Sequence, residues 1–272
     1  MHPRTLLLWV AAVLLLSLGG EDPWPRFVAL AAAVTVLALR RRHGTRLRPV
    51  LLGLALAAAL TVAFNFGLSH EGQTVVVSLP GWLPALGGPL TLEGAAYGAD
   101  LAVGLVACIA AGLALSLVVE PQELVDTLPP VFSRTAAALA AGLGLVPRLG
   151  QTFLAVREAQ QLRGWRGRGV RSWSAVVVPS VLTTIEGSVL LAEAMEARSF
   201  GGGHRTAMPS RPWHRADLVA ALASALALAG FTTALLLGQV PGWQPYPGLV
   251  LPQLSPWALA CSLLLFVPAL SR

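Results

Sequence analysis

The chain has 272 residues, 55% of them hydrophobic and only 12% charged, with mean hydropathy +0.69. A soluble domain carries about 25% charged residues, so an ordinary water-soluble fold is excluded and an all-helical integral membrane protein is expected. The 19 basic residues are all arginine and give a net charge of +6; they cluster between apolar runs, where membrane topology places them, so the basic balance does not point to nucleic acid.

Residues 5–18 form an apolar but short run, with Arg4 before it and Ser17-Leu18-Gly19-Gly20 after it, a pattern that cleaved signal peptides share. Glu21-Asp22-Pro23-Trp24-Pro25 predicts a turn, and residues 27–39 a second short run ending in Arg40-Arg41-Arg42. Runs this short leave open whether they cross a bilayer. After five arginines between Arg40 and Arg48, residues 50–68 make a good span with Asn65 near its far end. A polar, Pro/Gly-rich stretch follows, in which Thr74-Val75-Val76-Val77-Ser78 suits a short extended segment. Residues 95–119 form the longest clean span, with Glu93 just before it and Tyr97 and Asp100 near its start. Two further apolar stretches, 135–156 and 173–195, are broken by Pro147 and Pro179 and interrupted by Arg148 and Glu186. Residues 217–237 are a clear span; 238–248 are a loop whose Trp243 and Tyr246 suit a membrane interface; 250–270 are a last span interrupted by Pro252 and Pro256.

Charge sets the orientation. With the N-terminus, the Arg40–Arg48 cluster, the central region and the C-terminus in the cytoplasm, strict alternation of spans leaves only Arg26 outside. If the two central stretches crossed as well, Arg157, Arg163, Arg166, Arg168 and Arg171 would face outside. The two are therefore read as long helices at or just below the inner face. The first, from Arg134 to Arg163, would be about 45 Å long at 1.5 Å per residue. The expected organisation is one structural unit: membrane helices over 1–119 and 217–272, with a cytoplasmic region over 120–216 between them.

Each central stretch ends in the same phrase. Glu158-Ala159-Gln160-Gln161-Leu162-Arg163-Gly164 is followed by Glu193-Ala194-Met195-Glu196-Ala197-Arg198-Ser199, with Glu, Ala and Arg in register. A cation in the last turn and a small residue at the stop are ordinary helix C-cap chemistry, which accounts for one copy but not for the recurrence. Conventional chemistry is missing. Without lysine there is no phosphate-binding GxxxxGK[ST] loop. His2, His43, His70, His204 and His214 are scattered without metal-ligand spacing. Cys108 and Cys261 lie inside apolar runs and read as packing residues. Glu93 and Asp100 are placed close to the outer surface, within reach of water, and read first as helix-start or capping residues and second as a substrate or proton site.

The residues resemble a known family, the transmembrane T component of energy-coupling factor (ECF) transporters, which includes the transmembrane subunit of cobalt and nickel uptake systems. The similarity rests on Leu162-Arg163-Gly164 and Ala197-Arg198-Ser199, which match two Ala-Arg-Gly motifs that end two long coupling helices. His2-Pro3-Arg4-Thr5, Pro89-Leu90-Thr91-Leu92-Glu93-Gly94 and Pro121-Gln122-Glu123-Leu124 add to it. Leu162 and Ser199 depart from the motif, and both arginines are kept. The resemblance implies about six membrane helices, the first two short, plus two long cytoplasmic coupling helices. It also implies a non-catalytic coupling subunit of an ABC-type importer of a vitamin or transition-metal ion, multi-pass in the cell membrane of a bacterium or archaeon. The implied partners are two ATPase subunits, which bind the ATP so that this chain needs no cofactor or metal, a substrate-binding S component, and the lipid bilayer. The implied ATPase-docking residues are Glu158, Gln160, Leu162, Arg163, Gly164, Glu193, Glu196, Ala197, Arg198 and Ser199. Competing readings are a secondary transporter or channel that binds its own solute through Asn65, Glu93 and Asp100, and a membrane-embedded transferase with phosphate-binding arginines, which lacks an acid, base or metal constellation.

Overall fold

A computed structural model describes residues 2–40, 47–69, 71–78, 88–129, 132–167, 169–198 and 213–270. The architecture is almost wholly helical. Helices long and apolar enough to cross a membrane cover Pro23–Arg40, Arg48–Leu68, Leu92–Val118, Thr135–Leu162, Arg171–Ala197 and Arg215–Leu236, and shorter apolar ones cover Pro3–Leu18 and Pro256–Leu270. The chain divides into two units, Met1–Glu120 with Pro212–Arg272, and Pro121–Arg211.

The first unit begins with α1 (Pro3–Leu18), capped by His2, whose Nδ1 accepts from the Arg4 N–H at 3.3 Å. Pro3 takes the first helical position, where its missing N–H costs nothing. Helix α2 (Pro23–Arg40) starts two residues into the stretch read as a turn, because Pro23 and Pro25 both fit a first helical turn. At 16 and 18 residues these helices are about 24 and 27 Å long. The first falls short of a hydrocarbon core of about 30 Å, and the second, at 18 residues, lies at the lower limit of the roughly 17–25 residues that span one.

Helix α3 (Leu47–Leu68) packs mainly on α4 (Leu92–Val118), and α4 also packs on α2 and α1. Besides Glu93, Asp100 and Val106, the buried residues of α4 are all small: Gly94, Gly98, Ala102, Gly104, Ala107, Ala110, Ala111 and Ala114. Small residues let helix backbones approach where lipid supplies no hydrophobic drive. The fit is closest at Gly98, where a Cβ would lie 2.8 Å from the Asn65 Cβ and 3.3 Å from the Val62 carbonyl oxygen. The expected extended segment is β1 (Val75–Ser78), which pairs antiparallel with β2 (Pro89–Thr91), directly before α4. Thr91 then caps α4, its hydroxyl accepting from the Gly94 N–H at 3.3 Å.

Helix α8 (Arg215–Leu236) closes the unit against α1. The last span is shorter than expected. Residues 250–255 are not helical, and the run consists of α9 (Pro256–Leu263), a 3-10 turn (Leu264–Phe266) and α10 (Val267–Leu270). Pro256 lacks the N–H that would carry the helix further back, and the Ser255 hydroxyl caps it there, accepting from the Ala258 N–H at 3.4 Å. Trp9 ties the unit's two ends, its indole N–H donating to the Leu265 carbonyl at 2.9 Å in the core.

The second unit holds α5 (Pro121–Asp126), α6 (Ser133–Leu162), a 3-10 turn (Val170–Trp173) and α7 (Ser174–Ala197). Pro147 and Pro179 are accommodated inside α6 and α7 without ending either. Among the described side chains of this unit only Ala137, Val176 and Ser180 are buried, so two long apolar helices are covered by little except each other.

Candidate functional site: two matched helix ends

Helices α6 and α7 pack as an antiparallel pair. Phe153, near the end of α6, stacks on Trp173 at the start of α7 with ring centroids 6.2 Å apart, and Trp165 meets Trp173 edge-on at 5.2 Å. The Trp165 indole N–H donates to the Ser172 carbonyl at 2.8 Å. At the other end, Leu191 and Met195 share a shallow groove with Ala137, Ala140, Ala141, Gly144 and Arg148. The two C-termini therefore lie toward opposite ends of the pair. From Arg148 to Arg163 is about 22 Å along the helix and from Ala137 about 39 Å, so the two repeat phrases are separated by roughly 20–40 Å.

The end of α6 is a Schellman motif. The Gly164 N–H donates to the Gln161 carbonyl and the Trp165 N–H to the Gln160 carbonyl, each at 2.9 Å, the two bonds that define this stop. Gly164 has φ +88°, in the left-handed region that favours glycine. Arg163 is the C-cap, at φ −82°, ψ 8°. At the end of α7, Arg198 is again the C-cap, at φ −92°, ψ 9°. The two arginines thus occupy the same position in the same local geometry. Both are exposed, and neither guanidinium has an ion-pair partner among the described residues.

The remaining expected site residues fall around these two ends. Glu158, Leu162 and Gly164 are exposed on the first and Gln160 is half-buried; Leu162 is 91% exposed, a large apolar side chain in open space. Glu193, Glu196 and Ala197 are exposed on the second. Ser199 lies outside the described residues, as does most of the Arg40–Arg48 cluster. The fold does not bring the two phrases together into one pocket; it presents them separately.

The polar residues of the first unit are placed differently from expectation. Glu93 and Asp100 are buried rather than solvated. The Glu93 carboxylate accepts from the Thr74 N–H at 3.1 Å and the Thr74 hydroxyl at 2.8 Å, so it ties the start of α4 to the segment leading into β1. Asp100 pairs with Arg26, the arginine that charge topology left on the outer side. Arg26 is only 8% exposed. Its Nε donates to the Ser17 carbonyl at 3.1 Å and a terminal nitrogen to the Gly20 carbonyl at 2.6 Å, so one guanidinium closes the end of α1 and binds α4. Sequence reasoning missed this pair, although an arginine on the wrong side of the topology was the signal for it. Nearby, burial holds the Asp22 carboxyl above its ordinary range, opposed by the Trp24 backbone N–H and the Arg26 charge. Asn65, Tyr97, Asp100 and Tyr246 line a cavity of about 650 Å³, with Glu21 and Glu71 at its wall.

Residues 1–209 match the family model described as cobalt transport protein. A curated relative from Thermanaerovibrio acidaminovorans, the energy-coupling factor transporter transmembrane protein EcfT, is 27% identical over 252 residues, covering 85% of this chain and 89% of its own length. With a multi-pass helical fold and the family match running through α1 to α7, the chain belongs to the cobalt transport protein family, the transmembrane components of ECF transporters.

Proposed function

We propose that this chain transmits ATP-driven motion from two ABC-type ATPase subunits to a substrate-binding S component, for uptake of a vitamin or a transition-metal ion. The observation that carries the reading is the duplication at the helix ends: Arg163 and Arg198 are both C-caps, with φ and ψ within about ten degrees of each other. A pair of related ATPase subunits offers two similar grooves, and two similar exposed helix ends fit one to each. Arginine suits the task because its planar fork binds a carboxylate through two parallel hydrogen bonds. Its position past the last helical residue also places the cation beside the helix's negative end. Gly164 lets the chain turn away at once, which leaves the guanidinium at the tip.

In this reading ATP binds to the partner subunits. Their closure moves the two tips relative to each other, and the long, poorly covered α6 and α7 act as levers carrying the displacement to the S component, a rigid-body switch. The N-terminus and residues 120–216 face the cytoplasm. The solute-binding alternative loses one of its three residues, because the Glu93 carboxylate is engaged by Thr74.

Site-directed cross-linking tests the docking. With Cys108 and Cys261 changed to Ala, Arg163→Cys and Arg198→Cys variants carrying a short photo-cross-linker on the new thiol are irradiated in membranes containing the co-expressed ATPase subunits. Each position should capture an ATPase subunit, and a control at Leu52, exposed on α3, should capture none. Equal capture from all three positions, or none from the two helix ends, would overturn the assignment.

A further inference from the structure

We propose that the cavity between Arg26–Asp100 and the 243–246 loop is a binding site for a small organic ammonium ion. Its volume of about 650 Å³ lies inside the range of small-molecule sites. It is lined at the end of the first unit where α1 and α3 finish and α2 and α4 begin, and it lies wholly within that unit. The inference is therefore independent of the coupling role.

Charge gives the chemistry. Three carboxylates, Glu21, Glu71 and Asp100, face one guanidinium, Arg26. That guanidinium is already committed to the Ser17 and Gly20 carbonyls and to one oxygen of Asp100. The other oxygen, Asp100 Oδ1, has no hydrogen-bond partner among the described residues, although the residue is only 5% exposed. A buried carboxylate oxygen without a donor is costly; this one is closed to a water molecule, so a ligand N–H reaches it only by shifting the side chains that cover it. The walls add aromatic surface. Tyr97 and Tyr246 sit with centroids 5.9 Å apart and planes inclined at 54°, and Trp243 lies beside them. Carboxylates together with aromatic faces are the combination that holds ammonium groups, through ion pairing and cation–π attraction. No cluster of three or more His, Cys, Asp or Glu suited to a metal occurs among the described residues, which favours an organic cation over an inorganic one.

Isothermal titration calorimetry on the full-length protein in detergent tests this, with putrescine and methylammonium as probes and acetate and glucose as controls. Saturable heat is expected for an ammonium probe and not for the controls. Glu21→Gln with Glu71→Gln should weaken binding by about tenfold, the loss expected for charged hydrogen bonds. Both of these side chains are exposed, so the double variant should keep its fold. Asp100→Asn should abolish binding; if that variant fails to fold, the Glu21/Glu71 pair decides. No saturable binding of either ammonium probe, equal binding of a control, or binding unchanged in the Glu21/Glu71 variant would each overturn the proposal.

Discussion

Changing Arg26 to Met should cost about 4 kcal/mol of stability, more than most substitutions in this chain. The side chain makes three contacts, to the Ser17 carbonyl, the Gly20 carbonyl and the Asp100 carboxylate, and it is 8% exposed. Removing one partner of a buried ion pair costs about 3–5 kcal/mol, because the other charge stays behind unpaired. The two bonds to carbonyls contribute on the order of 1 kcal/mol each and are partly replaced by backbone relaxation. Removing both charges together has a different outcome. Arg26→Met with Asp100→Leu leaves no stranded ion, so the double variant should lie within about 2 kcal/mol of the parent, a coupling of several kcal/mol between the sites. Reversible unfolding of the full chain in mixed micelles, followed by tryptophan fluorescence, measures all three variants. If Arg26→Met costs less than about 1 kcal/mol, or the two substitutions are additive, the pair is not the buried clasp described above.

Three further outcomes follow from particular positions. Gly98→Val should cost about 1–3 kcal/mol by overpacking the α3–α4 contact, whereas Gly112→Ala, where a Cβ would meet nothing within 4 Å, should be neutral or stabilise by up to about 1 kcal/mol; the same unfolding assay compares them. Gly164→Ala meets no side-chain obstacle, so its cost is the left-handed backbone alone, about 1–2 kcal/mol, and hydrogen exchange at the Gly164 and Trp165 amides should rise about tenfold. Asp22→Asn should stabilise the protein near neutral pH. The folded Asp22 carboxyl titrates above its ordinary value, so its favourable contribution belongs to acidic pH and is lost as pH rises through the folded value. Stability curves of parent and variant should therefore draw together at low pH and separate above it; curves that stay parallel would show that burial of Asp22 does not govern its titration.

Most of the helical layout was legible in the sequence because the length of each apolar run reports directly on it. The ends of α6 and α7 were legible for a similar reason: a cation followed by a small residue is local chemistry, and Gly164 adopts the conformation its type predicts. Long-range pairing was not legible. Nothing local distinguishes an Asp100 that meets water from one that meets Arg26, 74 residues away, and so both Asp100 and Glu93 were expected to be solvated. The cavity escaped for the same reason, since it joins Glu21, Asn65, Asp100 and Tyr246 from four separate segments. Proline caused errors in both directions. Pro23 and Pro25 suggested a turn but begin α2, while Pro256 in a run read as one long span marks where the helix starts.

The central claim is that Arg163 and Arg198 dock the chain onto its ATPase partners. The most direct test is affinity purification of the tagged chain from cells co-expressing those partners, comparing the parent with the double variant Arg163→Glu, Arg198→Glu. Both side chains are exposed, so the variant should insert and unfold like the parent. The account predicts that the ATPase subunits co-purify with the parent and are lost from the double variant; full retention of the ATPase subunits by a correctly folded double variant would contradict it.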